Sequence, residues 1–410
     1  MRRVGIEAVG VYAGRAMLDV AELAAARGLD TQRFQNLLMR RKSVALPVED
    51  PVSFAVNAAR PIVDRLSAAA RAEIRTLIVA SESGIDFGKS MSSYVQHHLG
   101  LSRNCRTFEV KHACFGGTAA LQSAAAFVRS DQRPSTRVLV VSTDIARPIP
   151  HTYAEPSQGS AAVALLVGPE PRILELEPAS GSYSYEVMDS CRPAPDIETG
   201  DPDLSLLSYL DCIRGAFADY HAQTGADFAT HFDGLAFHTP FGGMAKGAHR
   251  TMMRDLKRLP PPAIEADFVQ RLQPSLAYCS EVGNVYSGSV LLAMCGAVQR
   301  LATAGAPGAR LGLFSYGSGC CSEFYSGLVP AGAAAALAEA GIPETLARRQ
   351  PLSMPDYERL LVLNRRTMFG VQDMVADPGE LGPLYRDRMA GSGLLVLRRI
   401  EGFHRQYDRA

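Results

Sequence analysis

The 410-residue chain has no charge imbalance: 42 Lys and Arg stand against 42 Asp and Glu. No global field therefore draws it to nucleic acid or to an anionic membrane. No apolar run approaches the ~20 residues that a spanning helix needs. Met1-Arg2-Arg3 could open a signal peptide, but Glu7 interrupts the apolar stretch behind it, so export is not expected. The eight cysteines lack metal-ligand spacing, which points to a reduced, cytoplasmic protein and to no metal site. Cys320 and Cys321 are adjacent and read as packed thiols, because neighbouring residues reach disulfide geometry only with strain. Lysine is scarce, nearly all basic residues being arginine.

With 47% hydrophobic and 20% charged residues, the composition is that of a globular protein with a sizeable core. Short β-branched runs alternate with longer Ala/Leu-rich segments, which predicts an α/β fold. Strands are expected at Val4–Val11, Thr76–Ala80, Arg137–Ser142, Ala161–Val167, Gly234–His238, Leu311–Ser315 and Gly393–Arg398. Helices are expected at Leu18–Arg27, Val52–Leu66, Met91–Leu99, Gly116–Arg129, Ala245–Leu256, Val285–Ala302 and Ala331–Ala340. Met188–Leu204, with its prolines and acidic residues, reads as a surface loop.

Four short constellations could carry chemistry. In Val110-Lys111-His112-Ala113-Cys114-Phe115-Gly116-Gly117, a strand leads to a cysteine just before a helix. A helix N-terminus favours thiolate, and the glycines allow a sharp turn and close approach. A lone cysteine is otherwise a small buried hydrophobe. In Phe237-His238-Thr239-Pro240-Phe241-Gly242-Gly243, a histidine ends a strand, where open α/β folds place their crevices; a core histidine is the alternative. His151, His231 and His249 lack such context and read as surface or helix-face residues. Glu82 follows a buried strand, where a carboxylate needs a partner or a raised pKa, and such a group can take a carbon-bound proton. It could equally be a cap. Gly283-Asn284-Val285-Tyr286 and Phe314-Ser315-Tyr316-Gly317-Ser318-Gly319 offer an amide and a turn of backbone N–H groups suited to an oxyanion, or simply an N-cap and a turn. A thiol, an imidazole, a carboxylate and an amide together suit Claisen-type condensation of thioesters.

Across essentially its whole length, and on these motifs in this order, the sequence resembles the 3-hydroxy-3-methylglutaryl-CoA synthase family of the thiolase superfamily. The resemblance implies a duplicated, five-layered αβαβα fold working as a homodimer. Residues 1–170 would form a half carrying the nucleophile Cys114, and residues 171–410 a half carrying His238 and Asn284. It implies Glu82 as general base and acid, and His238 as the group that orients the acceptor carbonyl. Asn284, Gly317, Ser318, Ser157 and Ser205 match substrate-contacting positions.

The runs Glu82–Ser90, Glu186–Pro193 and Gly242–Arg250 resemble a subgroup that performs β-branching in polyketide assembly. Its members add acetyl from a donor acyl carrier protein to the β-ketone of an intermediate on an acceptor carrier. The product is a β-hydroxy-β-carboxymethyl acyl thioester, and no metal or redox cofactor is needed. CoA-using members tend to carry lysine where this chain has Gly243. Many bacterial members have tyrosine where it has Pro148, a gap that nearby Tyr153 could fill. Arg33, Arg40, Arg41 and Lys42 form a basic cluster that would face an acidic carrier helix or stand as a solvated charged face. Rival readings are a mevalonate-pathway synthase, a β-ketoacyl synthase III-type enzyme, which needs no carbon-acid base such as Glu82, and a non-catalytic carrier-binding scaffold.

Overall fold

The computed structural model describes residues 2–30, 34–194, 197–305, 308–367 and 369–410. Its strands in chain order begin with β1 (Gly5–Tyr12), β2 (Ala16–Asp19), β3 (Arg41–Val44), β4 (Ile74–Ala80), β5 (Arg106–Val110), β6 (Arg137–Ile145) and β7 (Ser160–Gly168). They continue with β8 (Leu174–Ser184), β9 (Ser190–Ala194), β10 (Ile197–Gly200), β11 (Gly234–Phe237), β12 (Arg310–Gly317) and β13 (Cys321–Leu328). Nine of them form one sheet, ordered β11-β12-β13-β8-β1-β7-β6-β4-β5. Its halves meet where Gly5 and Ile6 of β1 pair with Glu175 and Leu174 of β8.

The strand order repeats. In the first half, β4 is parallel to β6, β6 antiparallel to β7, and β7 antiparallel to β1. In the second, β11 is parallel to β12, β12 antiparallel to β13, and β13 antiparallel to β8. The counterpart of edge strand β5 is replaced by the helical stretch Pro261–Val282.

Alternating side chains explain the layering. Ile78 and Ala80 of β4 face a core built on the helices Gly116–Ser130 and Ser289–Thr303, which also buries Leu311 and Leu313 of β12. Leu77 and Val79 face the helices Pro51–Arg65 and Met91–Leu99. Phe314 and Tyr316 face Pro202–Thr224 and Gly242–Lys257. The result is helix, sheet, paired helices, sheet, helix.

Met188–Leu204 departs from the expected loop. It holds the antiparallel hairpin β9–β10 and the start of the Pro202–Thr224 helix, although Pro195 lies outside the described residues. Pro202 and the acidic residues there are a helix start: Pro202 is at the first turn and Asp201 accepts from the N–H groups of Asp203 and Leu204. The expected helix from Val285 opens instead as a 3₁₀ turn, Tyr286–Gly288, before the α-helix at Ser289. All eight cysteines are free thiols, as read for Cys320 and Cys321.

Candidate active site

Strand β5 delivers the nucleophile. After Val110 the chain turns through Ala113, whose φ of 40° is left-handed, and Cys114 sits one residue before the cap Phe115 of the Gly116–Ser130 helix. The two glycines behind it differ in purpose. A Cβ at Gly117 would run into the Ser287 carbonyl oxygen, whereas one at Gly116 would meet nothing closer than 3.6 Å. Only Gly117 is required for close packing. Gly317, at the end of β12, lies against the same turn: a Cβ there would come within 2.6 Å of the Phe115 nitrogen and 2.7 Å of the His112 oxygen. The Gly317-Ser318-Gly319 turn is therefore at the nucleophile, held by buried Asp189, which accepts from the Tyr316 hydroxyl at 2.5 Å and the Gly319 N–H at 2.9 Å.

Glu82 follows β4, parallel neighbour of β5. The Cys114 thiol donates to its Oε2 at 3.8 Å. Burial, with Asp144 and Glu198 nearby, outweighs Arg192 and pushes the Glu82 carboxyl up to about 8. Burial and the carboxylates of Glu82, Asp144 and Glu198 also push the Cys114 thiol well up. This corrects the expectation that the helix N-terminus favours thiolate: carboxylates and desolvation dominate, the sulfur rests protonated, and Glu82 is there to accept its proton.

Asp144, fully buried at the end of β6, ties the walls together. Its carboxylate accepts from the N–H groups of Glu82, Ser83 and Ser287 at 2.9, 3.1 and 3.1 Å, and from the hydroxyls of Ser81, Ser83 and Ser287. From β9, Arg192 places Nη2 3.2 Å from Glu82 Oε1 and 2.7 Å from Glu198, with its guanidinium 5.0 Å from the Tyr286 ring centre.

His238 caps β11 beside β12, its N–H donating to the Phe314 carbonyl at 2.7 Å, three residues before Gly317. Its carbonyl accepts from the Tyr209 hydroxyl at 2.6 Å. His238 is 1% exposed, its Nδ1 has no partner among the described residues, and burial lowers its pKa to about 3, so it is a neutral imidazole. Asn284 Oδ1 accepts from the Tyr286 N–H at 2.9 Å and the Ser289 hydroxyl at 2.8 Å, which leaves its amide N–H groups to donate elsewhere.

The remaining expected positions divide. Ser157 is buried beside Asn284, whose N–H donates to its carbonyl at 2.6 Å, and its hydroxyl is engaged by Ala154. Ser318 is half-buried in the turn against Cys114, and Ser205 lies in the first turn of Pro202–Thr224. Tyr153 is 59% exposed on the surface. Of the basic cluster, Arg33 lies outside the described residues, while Arg40 and Arg41 are exposed and both pair with Glu281, at 2.9 and 3.0 Å. Lys42 is a correction. It is 1% exposed, donates to the Glu155 carbonyl and to Tyr357, and cannot meet a carrier. His249, read as a surface or helix-face residue, is on the buried face of the Gly242–Lys257 helix and is bonded to Asp267 at 2.5 Å. Sequence alone gives Asp144, Arg192, Glu198 and Tyr286 no role of their own. Arg192 and Tyr286 stand inside quoted motifs, and Asp144 ends a buried strand, a place where a carboxylate needs a reason.

Models of the hydroxymethylglutaryl-coenzyme A synthase N-terminal and C-terminal regions match residues 1–172 and 262–407. The chain belongs to the hydroxymethylglutaryl-CoA synthase family. It is 48% identical to the polyketide biosynthesis 3-hydroxy-3-methylglutaryl-ACP synthase PksG of Bacillus subtilis, over 99% of each chain. It is 34% identical to the hydroxymethylglutaryl-CoA synthase of Enterococcus faecalis, over 87% of this chain and 91% of that one. Among solved structures, the HMG synthase of the curacin biosynthetic pathway superposes with a TM-score of 0.95 at 52% identity, covering 100% of both chains. The fold is the thiolase-like one that these synthases share.

Proposed function

We propose that this protein is a condensing acyltransferase for polyketide β-branching, adding acetyl from a donor acyl carrier protein to the β-ketone of an intermediate on an acceptor carrier. The greater likeness to PksG and the curacin synthase than to the Enterococcus faecalis enzyme supports carrier-borne substrates. The curacin enzyme has been solved with its holo donor-ACP. Gly243 supports the same reading. Its N–H donates to the Leu37 carbonyl at 3.2 Å, and a Cβ there would run into the Asn36 carbonyl, so the position of a CoA-phosphate lysine is filled by backbone.

Cys114 passes its proton to Glu82 and takes acetyl, and Glu82 hands that proton to the departing donor thiolate, which leaves as a thiol and frees the carboxylate. Glu82 as carboxylate removes a proton from the acetyl methyl, and the turn at Ser318 stabilises the enolate. The carbanion attacks the acceptor ketone, held by neutral His238 and by Asn284, and Glu82 returns its proton to the new alkoxide. Water then hydrolyses the Cys114 thioester to a carboxylate. This course calls for no metal or redox cofactor. Ser157, Ser205 and Tyr153 would line the substrate path, and Arg33, Arg40 and Arg41 the carrier dock. We extend the reading to a cytoplasmic homodimer, its chain divided into halves 1–170 and 171–410. The repeated strand order supports the division, and β5, at the end of the sheet, leaves an edge that a second copy can cover.

The observation that carries the reading is the Glu82 carboxyl 3.8 Å from the Cys114 sulfur, since a carbon acid attached there needs such a base. Cys114→Ser should form no acetyl-enzyme by mass spectrometry. Glu82→Gln should still acetylate, more slowly because it cannot take the thiol proton, yet fail to condense; condensation at a near-normal rate would remove the role given to that carboxyl.

A further inference from the structure

A carboxylate that must deprotonate a methyl group on one side needs its other oxygen fixed, or it rotates away from the carbon acid. Glu82 has such a division. Oε2 faces Cys114, and Oε1 lies 3.2 Å from Arg192 Nη2, while Arg192 Nη1 donates to the Glu82 carbonyl at 3.4 Å. Arg192 thus grips both the side chain and the backbone of one residue.

We propose that Arg192 is a positioning residue for the carbon–carbon bond-forming step, holding Glu82 as an oriented carboxylate while acetyl is on Cys114, with Glu198 setting how much of that grip Glu82 receives. The proposal rests on the role given to Glu82 above. Arg192 comes from β9, in a hairpin that belongs to neither half of the main sheet, so the base and its holder are supplied by separate elements. The guanidinium is itself held: Glu198 on β10 pairs with it at 2.7 Å, and the Tyr286 ring lies under it. Glu198 is fixed in turn by the Gln158 amide at 3.0 Å and the Tyr286 hydroxyl at 3.4 Å. The groups acting on Glu82 are Cys114 beside it, Asp144 beneath it, Glu198 across the hairpin and Arg192, the cation among them. Two of these four, Asp144 and Glu198, carry like charge and favour the uncharged acid, while the Cys114 thiol, as a donor, favours the carboxylate until it is acetylated. With acetyl on Cys114 the thiol donor is gone, so removing Arg192 leaves the two carboxylates unopposed, whereas removing the charge of Glu198 frees Arg192 for Glu82 alone.

The test uses the intact enzyme with acetyl-carrier protein. Acetyl-enzyme formation is followed by mass spectrometry, and exchange of the acetyl methyl protons is followed in deuterated water across a pH series. Arg192→Gln should slow exchange and condensation at least about 30-fold more than acetylation, and should move the exchange midpoint alkaline by about one pH unit. Arg192→Lys should recover part of both, and Glu198→Gln should move the midpoint the opposite way. Equal losses in both steps with an unmoved midpoint, or shifts of the same sign in Arg192→Gln and Glu198→Gln, would overturn the proposal. Should Arg192→Gln fail to fold, Arg192→Lys and Glu198→Gln still decide by the sign of their shifts. Normal exchange in Glu82→Gln would instead sink the role of Glu82. Loss of exchange there with parental exchange in Arg192→Gln would sink only that of Arg192.

Discussion

Asp144→Asn separates the structural and electrostatic duties of one buried side chain. The carboxylate accepts four hydrogen bonds at Oδ1, from Ser81, from Glu82 and two from Ser83, and two at Oδ2, both from Ser287. An amide can accept on one side only. Its cheaper orientation keeps the carbonyl toward Ser81–Ser83 and turns NH₂ toward Ser287, whose hydroxyl can rotate but whose N–H then loses its acceptor. One buried unsatisfied donor costs about 1–3 kcal/mol, and the charge-assisted bonds that remain weaken, so a loss near 2–4 kcal/mol is expected. Relief from burying a charge partly offsets it, since burial already pushes the Asp144 carboxyl up. The catalytic consequence has the opposite sense. Asp144 raises the Glu82 pKa by like charge, so the variant should condense with its pH midpoint moved acidward although the fold is weaker. Urea denaturation of the variant beside the parent, with methyl exchange against pH, reads both effects. Stability within about 0.5 kcal/mol of the parent, or a midpoint that stays put, would refute the reasoning.

Three further outcomes follow from the same geometry. Condensation by pre-formed acetyl-enzyme should rise with pH and level off above about 8, because Glu82 must be ionised to act; His238, neutral down to about 3, should add no inflection near neutrality, and a rate flat from pH 6 to 9 would contradict this. Gly117→Ala should lose about 1–3 kcal/mol despite its better helix propensity, because its Cβ meets the Ser287 backbone, while Gly116→Ala should be tolerated; equal denaturation midpoints would refute the distinction. Gly243→Lys should not lower the KM for acetyl-CoA, because the new side chain must first displace the backbone at Asn36; a clear fall in KM would show that the position still accepts a phosphate-binding cation.

Residues fixed by local pattern were legible in the sequence. Glu82 and His238 come just after strands and Cys114 stands between a strand and a helix, and a strand end followed by glycines or a turn is a signal in neighbouring letters. The Met91–Leu99 helix was equally readable, because Ser90 caps it and Gly100 ends it in the left-handed conformation. Lys42 was misread because charge invites a surface assignment. It follows Arg41 in β3, and adjacent strand residues point to opposite faces, so the Arg41 side chain is 47% exposed while its neighbour is inside. His249 follows the helical version: it shares the buried face of Ala245, Ala248 and Met252, and its partner Asp267 is 18 residues away.

What no local pattern carries is the charge balance at the nucleophile. The distance from Glu82 to Arg192 along the chain is 110 residues and from Asp144 to Ser287 is 143, so neither contact has a period or a spacing to find. The helix N-terminus before Cys114 predicts a thiolate, and that inference is sound for an isolated helix. It fails here because burial, and after it the three carboxylates gathered in the same dry site, push the thiol up. The protonated sulfur that results is helped toward acyl transfer by an acceptor for its proton already in contact. That acceptor must later take a second, far weaker acid's proton from the acetyl methyl. A carboxyl near its ordinary value would manage the first transfer poorly and the second hardly at all, so the burial that raises the thiol is the same burial that makes Glu82 basic enough to serve both.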